Sequence, residues 1–154
     1  MKKLLCMAFA VICLSACGGE KETKTMVCSL EQETSGIKTE MNMDIGYEGD
    51  KVVTQNQEAI ITADSKEVYD AMIPTLKAYS KEDEYKGMDG VTYTIKEDEE
   101  NLRMVEKVTL DFYKISADDY KTVSGDSSID LEKDKIDVDK TKERLEGQGF
   151  SCVK

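Results

Sequence analysis

Histidine is absent from the chain, and so is tryptophan. Without imidazole there is no Ser-His-Asp or Cys-His nucleophile system, no histidine zinc ligand and no histidine pH switch. Any catalysis would fall to carboxylates, lysine, tyrosine or backbone groups. Proline occurs once, at Pro74. Basic residues are outnumbered, with 21 Lys and Arg against 32 Asp and Glu and a formal net charge of −11. That deficit argues against nucleic acid as a partner, because its recognition needs basic patches that release counterions. It also argues against lying flat on anionic lipid. Long apolar runs are missing too. The uncharged stretch from Leu4 to Leu14 has eleven residues, well short of the ~20 that a membrane-spanning helix needs.

What is present begins with that stretch. Lys2 and Lys3 precede it, and Leu14-Ser15-Ala16-Cys17 follows it. Basic start, short apolar segment and small-residue cleavage site form a secretory leader. The Leu-Ser-Ala-Cys pattern resembles the bacterial lipobox. That resemblance implies that the Cys17 thiol receives a diacylglycerol and that the chain is cut before it, so that residues 1–16 are lost. Two or three acyl chains on one residue anchor stably, whereas one alone holds marginally. Residues 17–23 would form a short polar tether, and residues 24–154 a single domain. Six extended tether residues reach at most ~20 Å. The expected address is the extracytoplasmic face of a cell membrane, or the outer membrane where the host has one. The membrane is the expected partner, through lipid, and the domain is expected to be a monomer.

Five cysteines are present. Cys6 and Cys13 would leave with the leader, and lipid would consume Cys17. Cys28 and Cys152 remain, one near each end of the domain. An even pair in an extracytoplasmic protein reads as a disulfide. Closing so long a loop stabilises a fold by roughly 4–5 kcal/mol on the chain-entropy argument. Two separate buried thiols are the alternative, since spacing alone does not place the Cβ atoms together. A two-cysteine metal site is less favoured without histidine to complete it.

Period-two alternation marks the strands. A short β-prone run covers 25–30, and residues 37–47 alternate Ile37, Thr39, Met41, Met43, Ile45 and Tyr47 with polar neighbours. Glu48-Gly49-Asp50 is a hairpin turn, and 51–62 returns as a third strand with a polar middle, Thr54-Gln55-Asn56-Gln57. Asp64 is placed to cap a helix, with Glu67 as its capping-box partner. Val68, Ala71, Met72, Leu76 and Tyr79 give that helix an apolar stripe. Pro74 should kink or split it. A second hairpin pairs 91–96 with 102–112, whose inward face of Leu102, Met104, Val108, Leu110 and Phe112 is broken by one polar residue, Glu106. A short helix near 116–120, a polar loop over 124–135, a helix over 138–146 capped by Asp137, and a final strand at 150–153 complete the chain. Hairpins rather than βαβ units predict a mostly antiparallel sheet with helices on one face, a two-layer α+β sandwich.

The lipobox, Cys28 in the first mature strand, this order of elements and a terminal Phe150-Ser151-Cys152 together resemble the YehR-like family of small bacterial lipoproteins. The resemblance spans nearly the whole mature chain. It implies the same address and fold and adds no active site, because the family has no established activity.

Five stretches carry candidate chemistry. Met41-x-Met43 has thioethers of the kind that hold Cu(I), but both lie on the apolar face of a strand and are better read as core. Asp126-x-Ser128-x-Asp130 starts like a calcium loop, yet Leu131 stands where glycine is needed and Asp137 where glutamate is needed. The acidic groups Glu82-Asp83-Glu84 and Glu97 to Glu100 read as solvated turns. The polar middle of the third strand reads as an exposed edge strand, with a polar groove for a ligand as the alternative. No motif implies a cofactor or a bound metal, and none is catalytic. The expectation is a non-catalytic binding or envelope-associated module. The alternatives are an envelope enzyme working through carboxylates on wall or sugar substrates, and a cation- or ligand-binding lipoprotein.

Overall fold

The computed structural model describes residues 22–125, 131 and 136–154. Cys17, the leader and the calcium-like stretch Asp126, Ser128 and Asp130 lie outside the described residues.

Three long strands open the domain: β1 (Lys24–Thr34), β2 (Ile37–Glu48) and β3 (Lys51–Ala63). Two-residue loops join them. Ser35 and Gly36 both take positive φ, 52° and 78°, the geometry that matches the right-handed twist of a tight hairpin. Helices α1 (Lys66–Tyr79) and α2 (Glu82–Tyr85) follow, then the hairpin β4 (Val91–Asp98) and β5 (Arg103–Asp111). Helices α3 (Ala117–Ser124) and α4 (Val138–Gly147) lead to a short β6 (Ser151–Val153). The six strands form one sheet in the order β4-β5-β3-β2-β1-β6. Every pairing is antiparallel, so the expected α+β class with helices on one face is borne out.

Directly opposed residues share a face of the sheet. The ladders put Cys28, Met43, Gln57, Val108 and Tyr93 in one row, and Met26, Ile45, Gln55, Leu110 and Val91 in the next. That is the face the helices cover. Helix α4 lays Val138 and Leu145 onto Met26, Cys28, Met43 and Ile45. Helix α1 lays Tyr69, Met72 and Ile73 onto Ala63 and Met104. Tyr120 of α3 packs with Leu110 and Ile115. A register shift between Gly46 and Tyr47 bulges β3 against β2, and both Val52 and Val53 are buried there. Just beyond the bulge, backbone bonds from Val52 N–H to Ile136 and from Val138 N–H to Asp50 fasten the start of α4 to the start of β3.

Cys28 and Cys152 face each other in register on β1 and β6 and are bonded, with S–S 2.04 Å. The bridge joins residues 124 apart in sequence. Cys28 is fully buried.

Four local expectations are corrected. Ser65, not Asp64, caps α1: its hydroxyl accepts from the Val68 N–H, while the Asp64 N–H donates to the Gly36 carbonyl and closes the β1–β2 end of the sheet. Val68, Met72 and Leu76 of the expected α1 stripe do pack inward, joined by Tyr69 and Ile73, while Ala71 is exposed and Tyr79 stays 76% exposed. Pro74 lies within one continuous α1, pointing to solvent, where losing one donor is tolerated at a cost in helix stability. The charged stretch after α1 is itself a helical turn, α2, held by Tyr85, which is buried and meets Tyr93 edge-on with centroids 5.5 Å apart.

Candidate ligand cavity

The third strand is not an edge. It is central, between β5 and β2, so the edge reading of Thr54 to Gln57 is overturned. Alternation splits the four residues. Thr54 and Asn56 look out on the helix-free face, where Asn56 lies in a shallow depression with Asp44, Glu58 and Lys107. Gln55 and Gln57 look the other way, onto the covered face, where a central strand ordinarily carries aliphatic side chains.

They do so beneath a gap in the helix layer. A cavity of about 320 Å³ opens between the sheet and α2, α3 and α4. Met43, Gln55, Gln57, Glu106, Val108 and Leu110 form its floor. Its walls include Lys81 and Tyr85 at the two ends of α2, Tyr120 and Val123 on α3, Arg144 on α4 and Gln148 just past its end. The volume sits at the lower end of the range for small-molecule sites, roughly 300–1,000 Å³.

The polar groups of the floor are under-used. No described residue hydrogen-bonds the side-chain amides of Gln55 or Gln57, although both are half-buried. Glu106 accepts one hydrogen bond, 2.6 Å from the Tyr93 hydroxyl, and has no ion-pair partner among the described residues. Tyr93 is itself positioned by the Lys81 N–H, which donates to its oxygen at 3.3 Å. Burial, then the Glu106 carboxylate, holds the Tyr93 phenol above its ordinary value, so it remains a donor at neutral pH. On the walls, Lys81 is paired with Glu84. Arg144 is exposed and pairs with no described residue.

Such a floor combines amide donors and acceptors, a carboxylate and a shaped, partly desolvated space. It has no nucleophile–base pair. The remaining sequence candidates lie elsewhere. Met43 is in the buried cluster with Ile45, and Met41 packs against it. Glu97 pairs with Lys77 at 2.7 Å and Glu99 with Lys66 at 3.1 Å. Glu82, Asp83 and Glu97 border a separate surface groove with Lys77 and Ile95. Among the described residues no group of three or more acidic or cysteine side chains is arranged to hold a metal ion. No described helix is long and apolar enough to cross a membrane.

Sequence reasoning missed Arg144, Gln148 and Tyr93. It noticed Glu106 as a polar break in an apolar face without connecting it to Gln55 and Gln57. Their shared inward parity was available in the sequence, but the pairing of β3 with β5 that brings them together was not.

One antiparallel sheet, a one-sided helix layer and a polar gap between them define a small two-layer α+β domain with a built-in cavity. The chain belongs to the family described as a protein of unknown function (DUF1307), which matches residues 22–151. It is 32% identical over 155 residues to the uncharacterized lipoprotein Lmo0207 of Listeria monocytogenes, covering 97% of this chain and 92% of that protein. Lin0239 of Listeria innocua, likewise an uncharacterized lipoprotein, is 29% identical with the same coverage. The NMR structure of the E. coli YehR protein superposes with a TM-score of 0.59 at 26% identity, covering 85% of this chain and 92% of that one. An NMR structure of a protein from Streptococcus pneumoniae TIGR4 has the same fold, with a TM-score of 0.57 at 14% identity over 99% of this chain. The expected likeness to YehR-like lipoproteins is therefore borne out. The relatives' naming as lipoproteins suggests membrane anchoring for this chain as well.

Proposed function

We propose that this chain is a lipid-anchored, extracytoplasmic, non-catalytic module that holds a small polar ligand between its sheet and its helices. The observation that carries the reading is the row of half-buried polar side chains, Gln55, Gln57 and Glu106, on the covered face of two central strands. Amides and carboxylates placed there cost stability relative to aliphatic residues unless something hydrogen-bonds them. A ligand supplies what the fold leaves out. Anchoring rests on Cys17 in its lipobox and on the relatives' naming.

Two measurements test the two halves. Intact mass of protein taken from native membranes should give a chain starting at acylated Cys17; an unacylated or uncleaved N-terminus overturns the anchor. For the cavity, amide spectra of the isotope-labelled full chain in detergent are followed against polar metabolites of several classes: amino acids, sugars, polyols, nucleosides and carboxylic acids. At least one class should shift the signals of Gln55, Gln57 and Glu106. Failure of every class to move them, in a folded sample, overturns the binding reading.

A further inference from the structure

The charges lining the cavity are of both signs, and neither is neutralised by a described residue. Glu106 stands on the floor with a single hydroxyl donor and no cation among the described residues. Arg144 stands on the α4 wall with no carboxylate among the described residues, although acidic residues outnumber basic ones in this chain. The nearby cation Lys81 is already committed to Glu84. Each free charge therefore has room for an opposite charge from outside.

We propose that the cavity takes a zwitterion of amino-acid size, with its ammonium on Glu106 and its carboxylate on Arg144, a reading that rests on the cavity being a ligand site. The planar guanidinium fork suits a carboxylate, which it can grip through two parallel N–H donors. Glu106 offers one carboxylate oxygen to the Tyr93 hydroxyl and keeps the other for an ammonium donor. Gln55 and Gln57 supply a donor and an acceptor each for the ligand's remaining polar atoms. A simple cation would satisfy Glu106 and be repelled by Arg144. A simple anion would meet the reverse. A neutral sugar would leave both charges without an opposite charge. Size is compatible: about 320 Å³ lies at the lower end of the range for small-molecule sites, roughly 300–1,000 Å³, room for a single small molecule rather than for an oligomer.

Calorimetric titration of the full chain in detergent tests this with three probes per amino acid: the free zwitterion, its N-acetyl derivative and its α-amide. Alanine, glutamine and glutamate serve as the starting set. At least one zwitterion should bind, and each capped analogue should bind about tenfold more weakly or worse, since it forfeits a charge-assisted hydrogen bond. Two variants assign the ends. Arg144→Gln should erase the preference for the acid over its amide and leave the N-acetyl penalty. Glu106→Gln, which keeps an acceptor for Tyr93, should erase the N-acetyl penalty and leave the other. Equal binding of capped and uncapped forms overturns the zwitterion. So does binding confined to sugars, polyols or nucleosides, although the cavity would then stand as a ligand site. Absence of binding by every class overturns both.

Discussion

Removing the Cys28–Cys152 bridge should cost this domain about 5 kcal/mol. The cross-link joins residues 124 apart, nearly the whole described chain, so its loss frees almost the entire unfolded ensemble. The chain-entropy argument gives about 4.7 kcal/mol for a loop of roughly 100 residues and slightly more here. Domain stabilities are roughly 5–15 kcal/mol, so the bridge supplies between a third and all of the margin. Unfolding entropy of ~2.1 cal/mol/K per residue converts the loss to a fall in melting temperature of about 18 °C. The perturbation is the double variant Cys28→Ala/Cys152→Ala, which leaves no thiol in a fully buried position. Guanidinium melts of variant and oxidised wild type give the difference, with a steeper slope in the variant because its unfolded chain, freed of the cross-link, exposes more surface. The competing view is that β6, only three residues long, would simply fray while the rest held. A loss below about 1 kcal/mol, with β6 amides newly exchanging, would refute the entropic reasoning and establish that view.

Four further outcomes are expected. The hydroxyl of Tyr69 is buried without a partner, so Tyr69→Phe should raise stability by about 1 kcal/mol in the same melts. Gln55→Leu/Gln57→Leu should stabilise by about 1–2 kcal/mol through added apolar burial and abolish every ligand-induced spectral shift, a trade between stability and binding. Ser65→Ala should cost about 0.5–1 kcal/mol as a lost cap of α1, while circular dichroism of Asp64→Ala shows unchanged helix content. Asn101 and Arg103 hold the Asp98 carboxyl below its ordinary 3.8, Lys114 does the same for Asp111, and the Lys140 N–H for Asp137. A depressed carboxylate stabilises the fold above its ordinary value and loses that contribution as acid titrates it, so stability should fall below about pH 4, less steeply in Asp98→Asn.

Much of this architecture is legible in the amino acids. Alternation from Ile37 to Tyr47, glycine at position 49 and the cluster at 97–101 suffice to draw two hairpins and one-sided helices. Sheet order is not legible, because β3 pairs with β5 across two intervening helices, and no local signal names a partner so distant. That gap explains why Gln55 and Gln57 read as an edge: polarity in a strand has the same look whether solvent or a ligand space faces it. Asp64 and Ser65 are both good capping residues, and only the turn at Gly36, which takes the Asp64 backbone, decides between them. Pro74 warned of a break because sequence pattern does not show that its ring side faces water. Of the cavity, Gln55, Gln57 and Glu106 were visible as oddities of parity. Arg144 was not, since an exposed arginine on a polar helix looks like any other until the opposite wall is known.

The adjacency of β1 and β6 bears on how the domain answers proteolysis. The bridge joins the fifth residue of β1 to the middle residue of β6, so almost the whole described domain lies inside one cross-linked loop. A single nick anywhere between Cys28 and Cys152 leaves two pieces still joined by the bridge. Separation would wait for a second cut or a reductant.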